Sequence, residues 1–258
     1  MQEKRSINMT RGKRYFTGER LFFDTLSSTN DRMLAMLIDT NPAEGTVIYT
    51  AFQTGGKGHM GNTWKSERGK NLLFSILLLP DFLLPSQQFE LSKIISLALA
   101  DIIRTHCKDV SIKWPNDVLS RGKKIAGILI ENVVTGNRIN RSVAGIGLNV
   151  NQVRFGNDIP NPTSLLLETG CQFDMTELLD QLIRRIEVWY NVLYRDELEN
   201  INREYLKNLY GINEVREFTG RGKKFLAKIG GVEQTGELVL ELESGEKLKF
   251  GFKEIKFD

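Results

Sequence analysis

Residues 56–61 of this 258-residue chain read Gly56-Lys57-Gly58-His59-Met60-Gly61. Glycines at this spacing let successive backbone N–H groups turn toward one anion, and Lys57 adds a positive charge. The pattern matches G-x-G-x-x-G, which binds a dinucleotide when a helix follows at once and aims its N-terminus at the pyrophosphate. Here a polar stretch, Asn62-Thr63-Trp64-Lys65-Ser66-Glu67-Arg68-Gly69, leads to another apolar run instead. A phosphate loop of the G-x-x-x-x-G-K-[S/T] type fails too, because Asn62-Thr63 follows Gly61. Alone, the segment is either an anion cradle or a plain glycine-rich hairpin. Metal chemistry has no foothold: the histidines are His59 and His106, and Cys107 and Cys171 stand far apart. Two isolated cysteines fit a reducing compartment rather than a disulfide framework.

Positioning such a loop takes strands on both sides, and the sequence supplies them. Residues 46–52 and 72–79 are runs of β-formers flanking the loop. Before them, Ser28-Thr29-Asn30-Asp31 precedes Met33, Leu34, Leu37 and Ile38, a capping residue followed by helical spacing. Residues 89–107 carry apolar side chains at helical intervals, and 110–114 is a short strand ending at Pro115. Residues 124–133 and 139–150 read as a β-hairpin across Thr135-Gly136-Asn137, and 175–209 as helix in two pieces. From about residue 212 short β-like segments at 225–229, 237–242 and 247–252 alternate with glycine turns, an SH3-like texture. Strands paired by hairpins and interrupted by helices predict an α+β fold with a mixed or antiparallel sheet, plus a small C-terminal β-barrel. The expected divisions are a basic tail at 1–20, a main domain at 21–210 and the β-module at 211–258.

With 41% hydrophobic residues the chain can build a core without staples. Its net charge is +3, and six cations against two acids within residues 1–20 leave the remainder near neutral. That excess reads as a solvated terminal tail rather than a nucleic-acid face. No run approaches a membrane span and no apolar signal core appears, so a cytoplasmic protein with no membrane or nucleic-acid partner is expected.

Five segments in order resemble the biotin–protein ligase family. They are Ser28-Thr29-Asn30; 53–64, beginning Gln53-Thr54-Gly55-Gly56; Lys113-Trp114-Pro115-Asn116-Asp117; 122–131, Gly-Lys-Lys124-Ile-Ala-Gly127-Ile-Leu-Ile-Glu; and Gly145-Ile146-Gly147-Leu148-Asn149-Val150-Asn151. The resemblance covers about residues 20–210, and the C-terminal module fits the family's small cap. It implies a catalytic domain like that of class II aminoacyl-tRNA synthetases, of the monofunctional type without an N-terminal DNA-binding domain. It also implies activation of biotin by ATP to biotinyl-adenylate, then transfer to a lysine of a biotin carboxyl carrier protein or domain.

Bringing a carboxylate to ATP joins two anions, so cations and N–H groups must offset the repulsion. By the resemblance Lys124 contacts the biotin carboxylate and the α-phosphate, with Lys57 as the second cation. Biotin's neutral ureido ring asks for hydroxyls and amides. Ser28, Thr29, Asn30 and Gln53 take that part, with Gly56, Gly58, His59 and Gly127 close to the biotin. Trp64 would pack on adenine, and Asn116 and Asn149 would contact the nucleotide. Asp117 would orient Mg²⁺-ATP or accept the proton of the carrier lysine; a metal ligand set is otherwise unassigned.

The family's loop reads Gly-Arg-Gly-Arg where this chain has Gly56-Lys57-Gly58-His59. Lysine keeps the charge but loses the bidentate fork, and a largely neutral histidine should hold the adenylate less tightly. Alternatives are a lipoate or octanoate ligase of the same superfamily and a non-catalytic biotin-binding module. A DNA-binding repressor is disfavoured, since the core begins near residue 20. The oligomeric state and the particular carrier stay open.

Overall fold

A computed structural model describes residues 12–157 and 159–257. A seven-stranded sheet forms the main body, in the order β1-β2-β3-β7-β6-β5-β4. The strands are β1 (Arg20–Leu26), β2 (Val47–Gln53), β3 (Asn71–Leu78), β4 (Val110–Lys113), β5 (Asp117–Ser120), β6 (Lys123–Thr135) and β7 (Arg138–Asn149). Only β1 and β2 run parallel; every other neighbour is antiparallel. The helix α1 (Thr29–Asp39), joining the parallel pair, packs Met33 and Leu37 on Ile48, Leu77 and Val143 on one face. Helices α2 (Phe89–Arg104), α3 (Leu165–Thr169), α4 (Met175–Tyr194) and α5 (Leu198–Lys207) follow, and α2 packs on α4, α5 and the opposite face. All eight residues of β3 are therefore buried, as a strand covered on both sides requires.

The second sheet contains β8 (Arg216–Gly220), β9 (Lys223–Val232), β10 (Leu238–Leu242), β11 (Lys247–Phe250) and β12 (Ile255–Phe257), all antiparallel in the order β11-β10-β9-β8-β12. It bears out the expected small β-module, as the mixed sheet bears out the α+β reading. Trp114 ties the two sheets together: its indole N–H donates to the Gly236 carbonyl at 2.8 Å, and its ring lies 5.4 Å from that of Phe252. The outer edge of β4 is not open either. Ile112 N–H donates to the Asn208 carbonyl and Tyr210 N–H to the Ile112 carbonyl, both at 2.8 Å, so the linker after α5 completes that edge.

The basic tail is corrected in part. Residues 1–11 lie outside the described residues, but Arg14 is no solvated cation. Its guanidinium reaches Glu44, Asp81 and the Leu79 carbonyl, stacks over Phe82 and Tyr194, and its backbone exchanges hydrogen bonds with Asn191. Charge counting missed this because the acids that meet Arg14 lie at least 30 residues away. Five strands or helices also escaped the sequence reading: β1, β5, α3, β8 and β12. Each is short and takes its order from neighbours rather than from its own periodicity.

Candidate active site

Glycines on neighbouring strands make the floor. Gly127 of β6 pairs with Gly147 of β7, and Gly145 lies two residues before Gly147, on the same face. The Trp64 ring rests on this floor; a Cβ on Gly147 would stand 2.4 Å from it and one on Gly127 2.9 Å. At Gly145 the neighbour is Asn30, with Oδ1 2.3 Å from the same imaginary atom. The alternate faces of β7, Ala144, Ile146 and Leu148, are buried in the main core. Period-two glycine in an otherwise apolar strand was the available signal for Gly145 and Gly147.

At one end of the floor sits a neutral polar network. Thr29 donates from both N–H and hydroxyl to Gln53 Oε1, at 2.8 and 3.1 Å. Ser75 Oγ, buried on β3, donates to Asn30 Oδ1 at 2.6 Å and stands 2.7 Å from Thr29 Oγ1. Asn30 Nδ2 donates to Glu131 Oε2 at 2.7 Å, which fixes the orientation of the amide. Ser28 caps α1 by accepting from Asp31 N–H at 3.3 Å, so the helix start holds Thr29 and Asn30 in place. Ser75 was missing from the sequence reading, and Glu131 stood there only as the end of the 122–131 segment with no role assigned; strand pairing brings both to residue 30.

The glycine loop is folded over this floor. Gly58 N–H donates to the Asn62 carbonyl at 2.7 Å and Trp64 N–H to the Gly56 carbonyl at 2.9 Å, a small hairpin with Lys57 opposite Thr63. A side chain on Gly56 would meet the Trp64 carbonyl at 2.4 Å. Lys57 does not point at an open anion site: Asp31 Oδ1 holds its amine at 2.5 Å, and that hydrogen bond raises its pKa. His59 sets its ring edge-on against Phe252 of the second sheet, 5.0 Å between centroids. Burial lowers the His59 pKa, Asp117 pulls it back up, and Lys253 pushes it further down.

Lys124, second residue of β6, is locked by its backbone: its N–H donates to Asn161 and its carbonyl accepts from Thr163, both at 2.8 Å. Its amine lies 2.7 Å from Asp117 Oδ1 in an ion contact and 5.6 Å over the Trp64 ring. Two cavities meet here. The first, about 720 Å³, runs from Ser28–Asn30 past Lys57 to Phe252 and Lys253 of the turn between β11 and β12 and to Lys256 of β12. The second, about 700 Å³, has Asn149, Phe155 and residues 159–162 on its walls; Trp64, Lys113, Asp117 and Lys124 line both. The Trp64 indole N–H is buried without a hydrogen-bond partner.

The two asparagines expected to contact a nucleotide separate. Asn149 faces the second cavity, its amide donating to the Thr163 carbonyl at 2.9 Å. Asn116 faces the first and spends its amide on the Ile128 carbonyl at 2.9 Å, bracing β6. Among the described residues no three His, Cys, Asp or Glu side chains converge to chelate a metal. Asp117 is engaged by Lys124, so the residues present do not form a resident metal site, and a divalent ion would enter with the nucleotide.

Comparison with known proteins agrees with this geometry. Residues 22–149 match the Biotin/lipoate A/B protein ligase family, and the chain belongs to it. It is 29% identical over 237 residues to the bifunctional ligase/repressor BirA of Bacillus subtilis, covering 89% of this chain and 72% of that one. Over 166 residues it is 34% identical to the biotin–[acetyl-CoA-carboxylase] ligase of Mycobacterium tuberculosis, covering 62% and 59%. The structure superimposes on the biotin protein ligase of Aquifex aeolicus, solved in complex with biotin and ATP, with a TM-score of 0.77 at 25% identity, covering 93% of this chain and 99% of that one. No helix among the described residues is long and apolar enough to cross a membrane.

Proposed function

We propose that this chain activates biotin with ATP, releasing pyrophosphate, and transfers biotin from biotinyl-5′-AMP to a lysine of a biotin carboxyl carrier protein or domain. The single observation that carries the reading is Lys124 at the seam of two cavities of unlike chemistry. One ends in neutral hydroxyls and amides, which suit a ureido ring; the other offers an indole and an asparagine, which suit a purine. The ligands of the Aquifex relative support the same pairing. An apolar slot would suit a lipoyl chain, and the Ser28–Gln53 end is polar, which favours biotin over lipoate.

In the first step a biotin carboxylate oxygen bonds to the α-phosphorus and the bond to the β-phosphate oxygen breaks, so pyrophosphate leaves. The Lys124 ammonium offsets the charge that gathers on the α-phosphate, and Lys57 exchanges Asp31 for a phosphate oxygen. In the second step the carrier amine bonds to the acyl carbon, the acyl–oxygen bond breaks, AMP leaves with the electron pair, and the amine's proton passes to Asp117. Ser28, Thr29, Asn30 and Gln53 orient biotin, Gly56, Gly58, His59 and Gly127 let it approach, and Trp64 and Asn149 hold the base. Mg²⁺ enters with ATP. The two free cysteines suit a cytoplasmic setting. Apo-carrier incubated with biotin and Mg²⁺-ATP should become streptavidin-reactive; unlabelled carrier that accepts lipoate instead overturns the assignment.

A further inference from the structure

A third cavity, about 200 Å³, lies behind His59 and shares His59, Pro115, Asn116, Ile128 and Phe252 with the first. It is smaller than the roughly 300–1,000 Å³ of small-molecule sites, with room for one unbranched side chain. Phe89, Ile130 and Phe252 form its walls, and Gln88, Ser92 and Thr235 are among its polar residues, with Gln88 and Thr235 exposed. None of its described lining residues is Asp, Glu, Lys or Arg.

We propose that this cavity is the port by which the acceptor lysine reaches the acyl-adenylate, an inference that rests on the function proposed above. A lysine attacks only as the free amine, although its ordinary pKa is about 10.4. A lining with no charged side chain offers the ammonium no counter-ion, and Phe89, Ile128, Ile130 and Phe252 accept the four-carbon stem. The main cavity offers the reverse, with Lys113, Lys124, Lys253, Lys256 and the Asp31-paired Lys57 on its lining against the single acid Asp117. Those cations draw in an anionic nucleotide and repel an arriving ammonium. Two substrates of opposite charge thus enter by two openings. The His59 imidazole, kept neutral by burial, adds no charge where the openings join.

Ser92→Phe fills the cavity from α2, and Thr235→Trp covers its mouth from the loop between β9 and β10, at a side chain exposed to solvent. Each half-reaction is read separately: adenylate formation by pyrophosphate exchange, transfer by labelling of apo-carrier, and discharge of the adenylate by hydroxylamine, which is small enough to use the main opening. Transfer should fall at least tenfold in both variants, with exchange and hydroxylamine discharge within twofold of the parent. If Ser92→Phe fails to fold, Thr235→Trp alone decides. Transfer at the parental rate overturns the port, as does a matching loss of hydroxylamine discharge, which would put the damage at the adenylate. Absence of exchange in the parent itself would instead overturn the underlying function.

Discussion

Asn30 is surrounded on every polar side: Ser75 gives a proton to its oxygen, Glu131 takes one from its nitrogen, and Gly145 leaves room for the amide. A methyl at residue 145 would force the amide away, leaving buried partners unmatched. Gly145→Ala is therefore expected to raise the Kd for biotin at least tenfold by calorimetry, with ATP binding little changed. Gly147→Val should do the converse, because its side chain would displace the Trp64 ring: the KM for ATP rises while biotin affinity holds. Burial keeps the His59 imidazole below its ordinary 6.5. Below pH 6.5 the unfolded chain therefore binds a proton that the folded chain refuses, so the contribution of His59 is full above that pH and declines below it. An NMR titration should find its midpoint under 6.5 and moving toward 6.5 in Phe252→Ala. Replacing His59 with arginine restores a fork for phosphate oxygens and should slow biotinyl-adenylate dissociation; an unchanged off-rate counts against that role.

Among the elements, the contact between Trp114 and Gly236 helps to seat the second sheet: the indole N–H donates to the Gly236 carbonyl and the ring packs on Phe252. Trp114→Phe keeps most of the packing and removes the hydrogen bond, leaving the buried Gly236 carbonyl unpaired. A loss of about 1–3 kcal/mol in unfolding by urea is expected. Because Phe252 also carries His59, the glycine loop should loosen as well, visible as faster tryptic cleavage after Lys57. The hairpin β6–β7 has a different role. One face carries Gly127, Gly145 and Gly147 under Trp64 and Asn30, the other Ile128, Ile146 and Leu148 of the core, so one register serves the cavity floor and the core together.

At the scale of the whole molecule, Arg14 fastens the segment before β1 to the far side of the body. Its guanidinium meets Glu44 and Asp81, while Tyr190 donates to the same Glu44 at 2.7 Å; burial, first, and that carboxylate hold the phenol protonated well above its usual range. None of these residues lines the cavities. Arg14→Ala should lower stability by roughly 1–3 kcal/mol, since Glu44 would lose its cation, while kcat for adenylate formation stays near parental. The first cavity, by contrast, is shared by the main body and the second sheet's module: Lys124 and Trp64 stand on one side, Phe252 and Lys256 on the other.

Much of this was legible along the chain. Capping at Ser28, the hairpin around Gly136, the long helix from Phe89 and the β-texture after residue 212 are local signals, carried by propensity and period, and they appear as expected. The motif residues Ser28 to Asn30, Gln53, Lys124 and Trp64 also come together. What the chain order could not give is partnership across the sheet. Ser75 and Glu131 reach Asn30 only because β3, β7 and β6 are neighbours, Asp31 takes Lys57 across 26 residues, and Arg14 finds Asn191 across 177. Composition and local spacing report what a residue can do within a few positions of itself. Which acid meets which base, and which glycine faces a ligand, is decided by strand order and packing, so the sequence determined the chemistry available and the tertiary structure determined where it is used.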